Sequence, residues 1–119
     1  MYDRPAFRPG QNIAMKMPPA EYERLVGFYR DILGFEVIGQ HAASTVFRFG
    51  DKRLWLDRVP DLVQGEVWLE VQAEDVMAAA SWFATHGVTR RDEIEELPDG
   101  FAAFWIAAPG GMIHLVSGG

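Results

Sequence analysis

The stretch FYRDILGFEV, residues 28–37, contains the turn that decides the fold. Its pattern is helical up to Leu33, reaches Gly34 where a left-handed helix cap would lie, and then alternates apolar and polar residues. The same kind of turn returns around Gly87 in FATHGVTR, residues 83–90. Two copies of one turn predict a chain built from two similar halves, with its function between them.

The elements around the first turn follow from hydrophobic periodicity. NIAMKM, residues 12–17, alternates as a strand does, and Pro18 and Pro19 then stop the strand and suit the start of a helix. Apolar residues recur in that helix at spacings of three and four: Tyr22, Leu25, Val26, Tyr29, Ile32 and Leu33. Three alternating segments follow, FEVIGQ, STVFRFG and RLWLDRV. The first half is therefore predicted to run strand, helix, strand, strand, strand.

The second half repeats this order. EVWLEV, residues 66–71, alternates as a strand, and AEDVMAAASWFATHG has the pattern of a helix. Glu66 follows Asn12 by 54 positions, and Gly87 follows Gly34 by 53. The next segment, VTRRDEIEEL, is interpreted as a solvated edge strand leading into a hairpin. The remaining segments are a turn at PDG, a strand at FAAFWIA, a turn at PGG and a strand at MIHLV.

Length and hydropathy indicate a single globular domain, residues 1–119. The chain is 49% apolar and long enough for a substantial core, and its halves form module one, about residues 11–59, and module two, about residues 64–117. It has no apolar run of the roughly 20 residues that a membrane span needs. The N-terminal ten residues lack the pattern of a signal peptide, so the expected location is cytoplasmic, away from membranes.

Charge and cysteine content exclude several function classes. The absence of cysteine rules out disulfides, thiolate nucleophiles and cysteine-ligated zinc, so any metal would need nitrogen and oxygen ligands. A net charge of −6 argues against a nucleic-acid partner, because the phosphate backbone requires a basic face. That charge permits a cationic ligand without implying one.

Two segments carry a resemblance to a known family. The NIAMKM strand followed by FYRDILGFEV, together with FWIAAPGGMIHLV near the C-terminus, resembles the vicinal oxygen chelate superfamily, which includes glyoxalase I, extradiol dioxygenases, and fosfomycin and bleomycin resistance proteins. The resemblance covers about residues 11–117. It implies an α+β fold of two pseudo-symmetric βαβββ modules, whose mixed sheet curls into a cup with the helices outside and a ligand pocket inside. It also implies a homodimer.

In metal-dependent members of this superfamily, the ligands come from the first and last strands of each module. The resemblance assigns these positions to Asn12 and about Trp55 in module one, and to Glu66 and His114 in module two. None is the residue usually found there, and Trp55 cannot bind a metal. Asn12, Glu66 and His114 still offer oxygen and nitrogen ligands to Zn, Fe, Ni or Mn. The alternative, which we favour, is a polar pocket wall with no cofactor.

Alternation predicts which side chains line the pocket. Two indoles and several carboxylates among them would stack a flat molecule and hold a cation over an aromatic face. The alternative for Trp55 and Trp68 is that they fill a core or a dimer interface. The predicted pocket residues are Asn12, Lys16, Arg53, Trp55, Asp57, Glu66, Trp68, Glu70, Met112 and His114.

Other reactive side chains are interpreted as structural. His41, in the loop-like GQHAAS, is expected to be a solvated loop residue, and His86 is expected to act as a cation near a helix C-terminus. Ser44, Ser81 and Ser117 lack the G-x-S-x-G setting of a hydrolase nucleophile, so no catalytic triad is predicted.

Three function classes follow from the sequence. The favoured class is metal-free binding or sequestration of a small flat or cationic molecule, similar to bleomycin resistance proteins and hence to antibiotic resistance. The second is a metal-dependent lyase, isomerase or dioxygenase using the Asn12, Glu66 and His114 site. The third is a module for association or regulation. The sequence leaves open whether the protein is an enzyme and which ligand it binds.

Overall fold

The computed structural model describes residues 4–118. That part of the chain contains two α-helices, neither long and apolar enough to cross a membrane. It divides into two compact units, residues 11–68 and residues 69–118 together with 4–10. The elements are β1 (Phe7–Met17), α1 (Pro19–Gly27), β2 (Val37–Gln40), β3 (Ser44–Phe49), β4 (Lys52–Arg58), β5 (Glu66–Ala73), α2 (Val76–Thr85), β6 (Thr89–Arg90), β7 (Ala103–Ala108) and β8 (Met112–Ser117).

The strands of the first unit are ordered β2-β3-β4-β1. Helix α1 separates β1 from the other three strands in the chain, and these strands return as an antiparallel meander. The last of them, β4, pairs in parallel with β1. The β3–β4 hairpin turns at Gly50, whose φ of 65° lies in the left-handed region that glycine adopts without steric cost.

The core of this unit lies between α1 and one face of its strands. Tyr22 and Val26 of α1 pack against Phe47, Leu54 and Leu56, which are almost fully buried. The stripe predicted from three- and four-residue spacing therefore meets the alternate residues of β3 and β4. Because alternate side chains of a strand point to opposite faces, the intervening residues form the face away from the helix, called here the open face of module one.

The second unit has the same topology. Its strands are ordered β5-β8-β7-β6, with β5 and β8 parallel and the β7–β8 and β6–β7 pairs antiparallel. Helix α2 packs on one face, and Asp75 caps its N-terminus by accepting a hydrogen bond from the backbone N–H of Ala78 at 3.0 Å. The buried core residues are Ala73, Ala79, Phe104, Ile106 and Val116.

The two glycine turns of the sequence occupy equivalent places. Gly34 and Gly87 follow the helical segments with φ values of 73° and 71°, and each lies where a Cβ would meet no neighbour. A positive φ, rather than lack of space, requires glycine at both positions. The predicted α+β fold of two βαβββ modules is confirmed.

The charged segment VTRRDEIEEL differs from its prediction as an edge strand. Only Thr89–Arg90 pair with β7. Beyond them, the Asp92 carboxylate accepts the backbone N–H of Trp105 at 3.1 Å, and the N–H of Ile94 closes a turn on the carbonyl of Arg91. A side-chain acceptor and a local turn thus replace the expected ladder of backbone hydrogen bonds.

The first helix also differs from its prediction in detail. The α-helix ends at Gly27, and a π-helical turn, Phe28–Ile32, continues it toward Gly34. The apolar stripe therefore changes period in its last turn, and Ile32 and Leu33 are exposed rather than packed on the core.

Candidate ligand-binding site

Five predicted pocket residues share the open face of module one. The parallel register pairs Asn12 with Arg53 and Lys16 with Asp57. Trp55 lies between Arg53 and Asp57 on β4. All are out of phase with the core residues of β1 and β4, which face α1. The alternation read from the sequence therefore brings these five side chains together.

Asn12 is the hydrogen-bond centre of one half of this face. Its Oδ1 accepts the indole N–H of Trp55 at 2.8 Å and the Nε–H of Arg53 at 3.1 Å. Asn12 and Trp55 are the two positions that the resemblance assigns to metal ligands in module one. Here they bind each other, and the indole is held half-buried with its polar atom satisfied.

His41 contacts the same tryptophan, which its prediction as a solvated loop residue missed. Although His41 is exposed, its ring stacks on the Trp55 indole with 5.5 Å between centroids and 10° between planes. The loop is held by the His41 N–H donating to the carbonyl of Ser44 at 2.8 Å. Gly39 lies beside this ring, since a Cβ there would be 3.7 Å from His41 Nε2. That glycine within a strand was the available sequence signal for a close approach.

A buried ion pair occupies the other half of the open face. The ammonium of Lys16 lies 2.7 Å from Asp57 Oδ2, and the Ser44 hydroxyl donates to Asp57 Oδ1 at 2.6 Å. Lys16 is only 5% exposed. Its Nζ also lies 4.2 Å from the ring centroid of Trp68. The cation expected over this indole is therefore supplied by the protein itself, and the Asp57 charge is balanced.

Glu66 forms a hydrogen bond with Trp68. The indole N–H of Trp68 donates to Glu66 Oε1 at 3.0 Å, two residues away along one face of β5. Trp68 is 9% exposed, whereas Glu66 is exposed. The carboxylate that was a candidate metal ligand thus serves as an acceptor for an indole.

Glu70 lies in the second unit as a buried carboxylate. It accepts the hydroxyl of Ser117 at 3.0 Å and is 8% exposed. A Cβ on Gly10 would overlap its Cγ and Oε1, so the glycine makes room for this side chain. Trp105, which was not a predicted pocket residue, lies on the same sheet face, 5% exposed, with its indole N–H on the carbonyl of Glu95 at 2.9 Å.

The prediction that His114 and Met112 face the open side of their module is wrong. The β7–β8 register places His114 opposite Ile106, on the face whose core includes Val116 and α2. The imidazole Nδ1 lies 3.0 Å from the carbonyl of Met112. Leu115 takes the face away from the helix instead. Because side chains alternate with a period of two, a one-residue offset in the C-terminal motif moved the predicted ligand to the wrong face.

The side chains at the four ligand positions do not fit a divalent metal ion. Asn12 accepts two N–H groups, Trp55 has no ligand atom, Glu66 accepts an indole, and His114 lies on the helix side of its strand. Across residues 4–118, no three histidine or acidic side chains are grouped as a metal site.

Comparison with known proteins yields structural but not sequence matches. No protein-family model matches the sequence, and a search of curated proteins finds no match. A hypothetical protein from Bacillus halodurans is similar over 94% of both chains, with a TM-score of 0.68 and 10% identity. The Mn(II)-bound glyoxalase from Novosphingobium aromaticivorans is similar over 90% of this chain and 37% of its own, with a TM-score of 0.65 and 18% identity.

A homoprotocatechuate 2,3-dioxygenase variant from Brevibacterium fuscum is also similar, over 95% of this chain and 33% of its own, with a TM-score of 0.66 and 19% identity. At these identities the likeness shows the fold. The chain has the fold of the vicinal oxygen chelate proteins, as its sequence predicted. It spans about a third of the length of the glyoxalase and the dioxygenase, so their activities are not assigned to it.

Proposed function

We propose that this protein binds a small flat organic molecule on the open face of module one, without a resident metal ion, and that Trp55 is the stacking surface. One observation carries the proposal. The two module-one positions that the resemblance assigns to metal ligands hold an asparagine and a tryptophan that hydrogen-bond to each other at 2.8 Å. An aromatic surface thus takes the place of a ligand pair.

The Trp55 indole is prepared for stacking before a ligand arrives. Its N–H is bound by Asn12, and His41 stacks on its ring. A side chain already fixed in one orientation loses little entropy on binding, so more of the contact energy contributes to affinity. A stacked aromatic pair contributes about 0.5–1.5 kcal/mol beyond its buried area. The arrangement supports binding or sequestration rather than turnover.

The cationic ligand expected from the sequence has weaker support than the flat one. A cation already lies over Trp68, because the ammonium of Lys16 is there, and Asp57 already balances that charge. A ligand cation would compete with this internal pair. The proposal therefore keeps a flat ligand and does not require a positive charge. The homodimer stays a prediction from the resemblance, to be tested by sedimentation equilibrium.

The experiment is calorimetric titration of metal-stripped protein with a panel of neutral bicyclic aromatic compounds such as 2-naphthamide. Calorimetry is preferable to fluorescence here because replacing a tryptophan removes part of the fluorescence signal. We expect Trp55→Leu to weaken binding by about tenfold, since 1.4 kcal/mol is a factor of ten. Trp82→Leu is the matched control, since Trp82 lies on α2 against His86.

Two results would contradict the proposal. In the first, binding is unaffected by Trp55→Leu, which would place the ligand elsewhere. In the second, binding appears only after a divalent ion is added and one equivalent of metal per chain is found by elemental analysis. That result would favour the metal-dependent lyase, isomerase or dioxygenase class instead.

A further inference from the structure

Arg53 differs from most arginines of this acidic chain. Its Nε donates to Asn12, but Arg53 forms no ion pair with any residue that the structure describes, and its side chain is exposed. Five other arginines are each paired with a nearby carboxylate: Arg24, Arg30, Arg48, Arg90 and Arg91. Arg8 and Arg58 resemble Arg53 instead, because each donates to a neutral oxygen, that of the Gln72 side chain or of the Ala42 backbone. An exposed guanidinium that is held in place without an acidic partner is suited to an external anion.

The strand register places a second positive charge opposite Arg53. Arg48 of β3 lies directly across from Arg53 of β4, on the same face. Directly opposed like charges destabilise a sheet. Arg48 is balanced by Glu36, 3.0 Å away, but both of these side chains are more than half exposed, so the pair is weak. A bound anion would relieve the repulsion that the two arginines create.

On β4, the acidic side chain that shares this face with Arg53 is Asp57. Asp57 lies four residues farther along β4 and is already bound by Lys16 and Ser44. Among Asn12, Arg53 and Trp55 the one charged side chain is therefore a cation, in a chain whose net charge is −6. A positive charge in the candidate site of an acidic protein favours a negatively charged ligand.

Arg53 and Trp55 are coupled through one atom. Both donate to Asn12 Oδ1, at 3.1 and 2.8 Å, which fixes the guanidinium beside the indole. Residues i and i+2 of a strand lie about 7 Å apart on one face, which is the span of an aromatic ring system and its substituent. A ring stacked on Trp55 would therefore direct an edge substituent toward Arg53.

We infer that the ligand is a flat aromatic carboxylate, with its ring on Trp55 and its carboxylate on the guanidinium of Arg53. Nε is used by Asn12, and the two terminal nitrogens offer further N–H donors in the planar geometry that carboxylates match. This inference rests on the proposed function and adds the charge of the ligand to it.

The test compares two ligands of nearly the same shape, one anionic and one neutral. Metal-stripped protein is titrated calorimetrically with 2-naphthoate and with 2-naphthamide, using wild type, Arg53→Gln, Trp55→Leu and the control Arg30→Gln. Arg30 lies on the π-helical turn, paired with Asp31, and its replacement makes the same change in net charge. We expect the naphthoate to bind wild type and Arg30→Gln at least about tenfold more tightly than the amide.

In Arg53→Gln the preference for the naphthoate over the amide should disappear. Added salt should weaken only the naphthoate complex, because screening acts on its charge. Equal affinities in wild type, combined with a loss of both in Trp55→Leu, would overturn the carboxylate inference and leave the proposed function standing. Failure of Trp55→Leu to affect either ligand would overturn both.

Discussion

The indole nitrogen of Trp55 donates to the side-chain oxygen of Asn12 across 2.8 Å, and this bond joins the first strand of module one to its last. The same oxygen accepts Arg53. One amide thus orients both the aromatic surface and the cation of the candidate site. Replacing the asparagine should therefore disturb stability and ligand binding together.

Asn12→Leu is expected to destabilise the protein by about 1–3 kcal/mol, because it removes the acceptor of a partly buried indole N–H. Asn12→Asp keeps an acceptor for both donors and should cost clearly less. Urea unfolding measures the free energy of unfolding of both variants and of the wild type. Equal stability of Asn12→Leu and wild type would show that the hydrogen bond does not hold the indole.

The Lys16–Asp57 pair should matter far more than a surface pair. Asp57→Ala removes a carboxylate 2.7 Å from an almost buried ammonium, and the expected loss is about 3 kcal/mol. The control, Glu36→Ala, removes the partner of exposed Arg48 and should cost less than about 1 kcal/mol. Denaturant unfolding at two salt concentrations measures the loss of unfolding free energy in each variant. Similar losses in the two variants would contradict the burial of the Lys16–Asp57 pair.

Gly10→Ala should destabilise the second unit, because the added Cβ would overlap the buried Glu70 side chain. Overpacking of this kind typically costs about 1–3 kcal/mol. Gly27→Ala provides the contrast, since its Cβ would meet nothing closer than an Asp31 oxygen at 3.7 Å. Being within α1, it should stabilise by up to about 1 kcal/mol. Thermal melts that rank the two variants in the opposite order would contradict this packing.

Exhaustive chelation should leave both the melting temperature and the ligand affinity unchanged. Asn12 and Glu66 each accept an indole N–H, and His114 lies on the helix face, so metal contributes no folding energy in this account. Differential scanning fluorimetry with and without chelator measures the effect. A drop in melting temperature that one added divalent ion reverses would refute it.

Periodicity predicted the order of the elements in both modules, and the resemblance supplied their arrangement. The signals were local patterns: the stripe with Tyr22 and Val26, the alternation through Leu54 and Trp55, and the two glycine turns. The stripe packs against Leu54, and both glycines have the expected positive φ. Local patterns determine which face a residue takes once the strand register is known. They therefore predicted which residues of β1 and β4 share the open face.

The features that were missed depend on register or on contacts distant in sequence. His114 was assigned to the wrong face because the motif was placed one residue out of register. The stack of His41 on Trp55 joins a loop to a strand 14 residues away, and no local pattern encodes it. The role of Asp92 as a backbone acceptor likewise could not be read from a charged run.

The most direct test of the central claim is ¹⁹F NMR of metal-stripped protein labelled with 5-fluorotryptophan. The chain has four tryptophans, so four resonances are expected, and Trp55→Phe assigns the one that matters. Titration with neutral 2-naphthamide should shift the Trp55 resonance and leave that of Trp82 in place. A Trp55 resonance that no flat compound moves, or that moves only after a divalent ion such as Zn²⁺ is added, would contradict metal-free stacking on this residue.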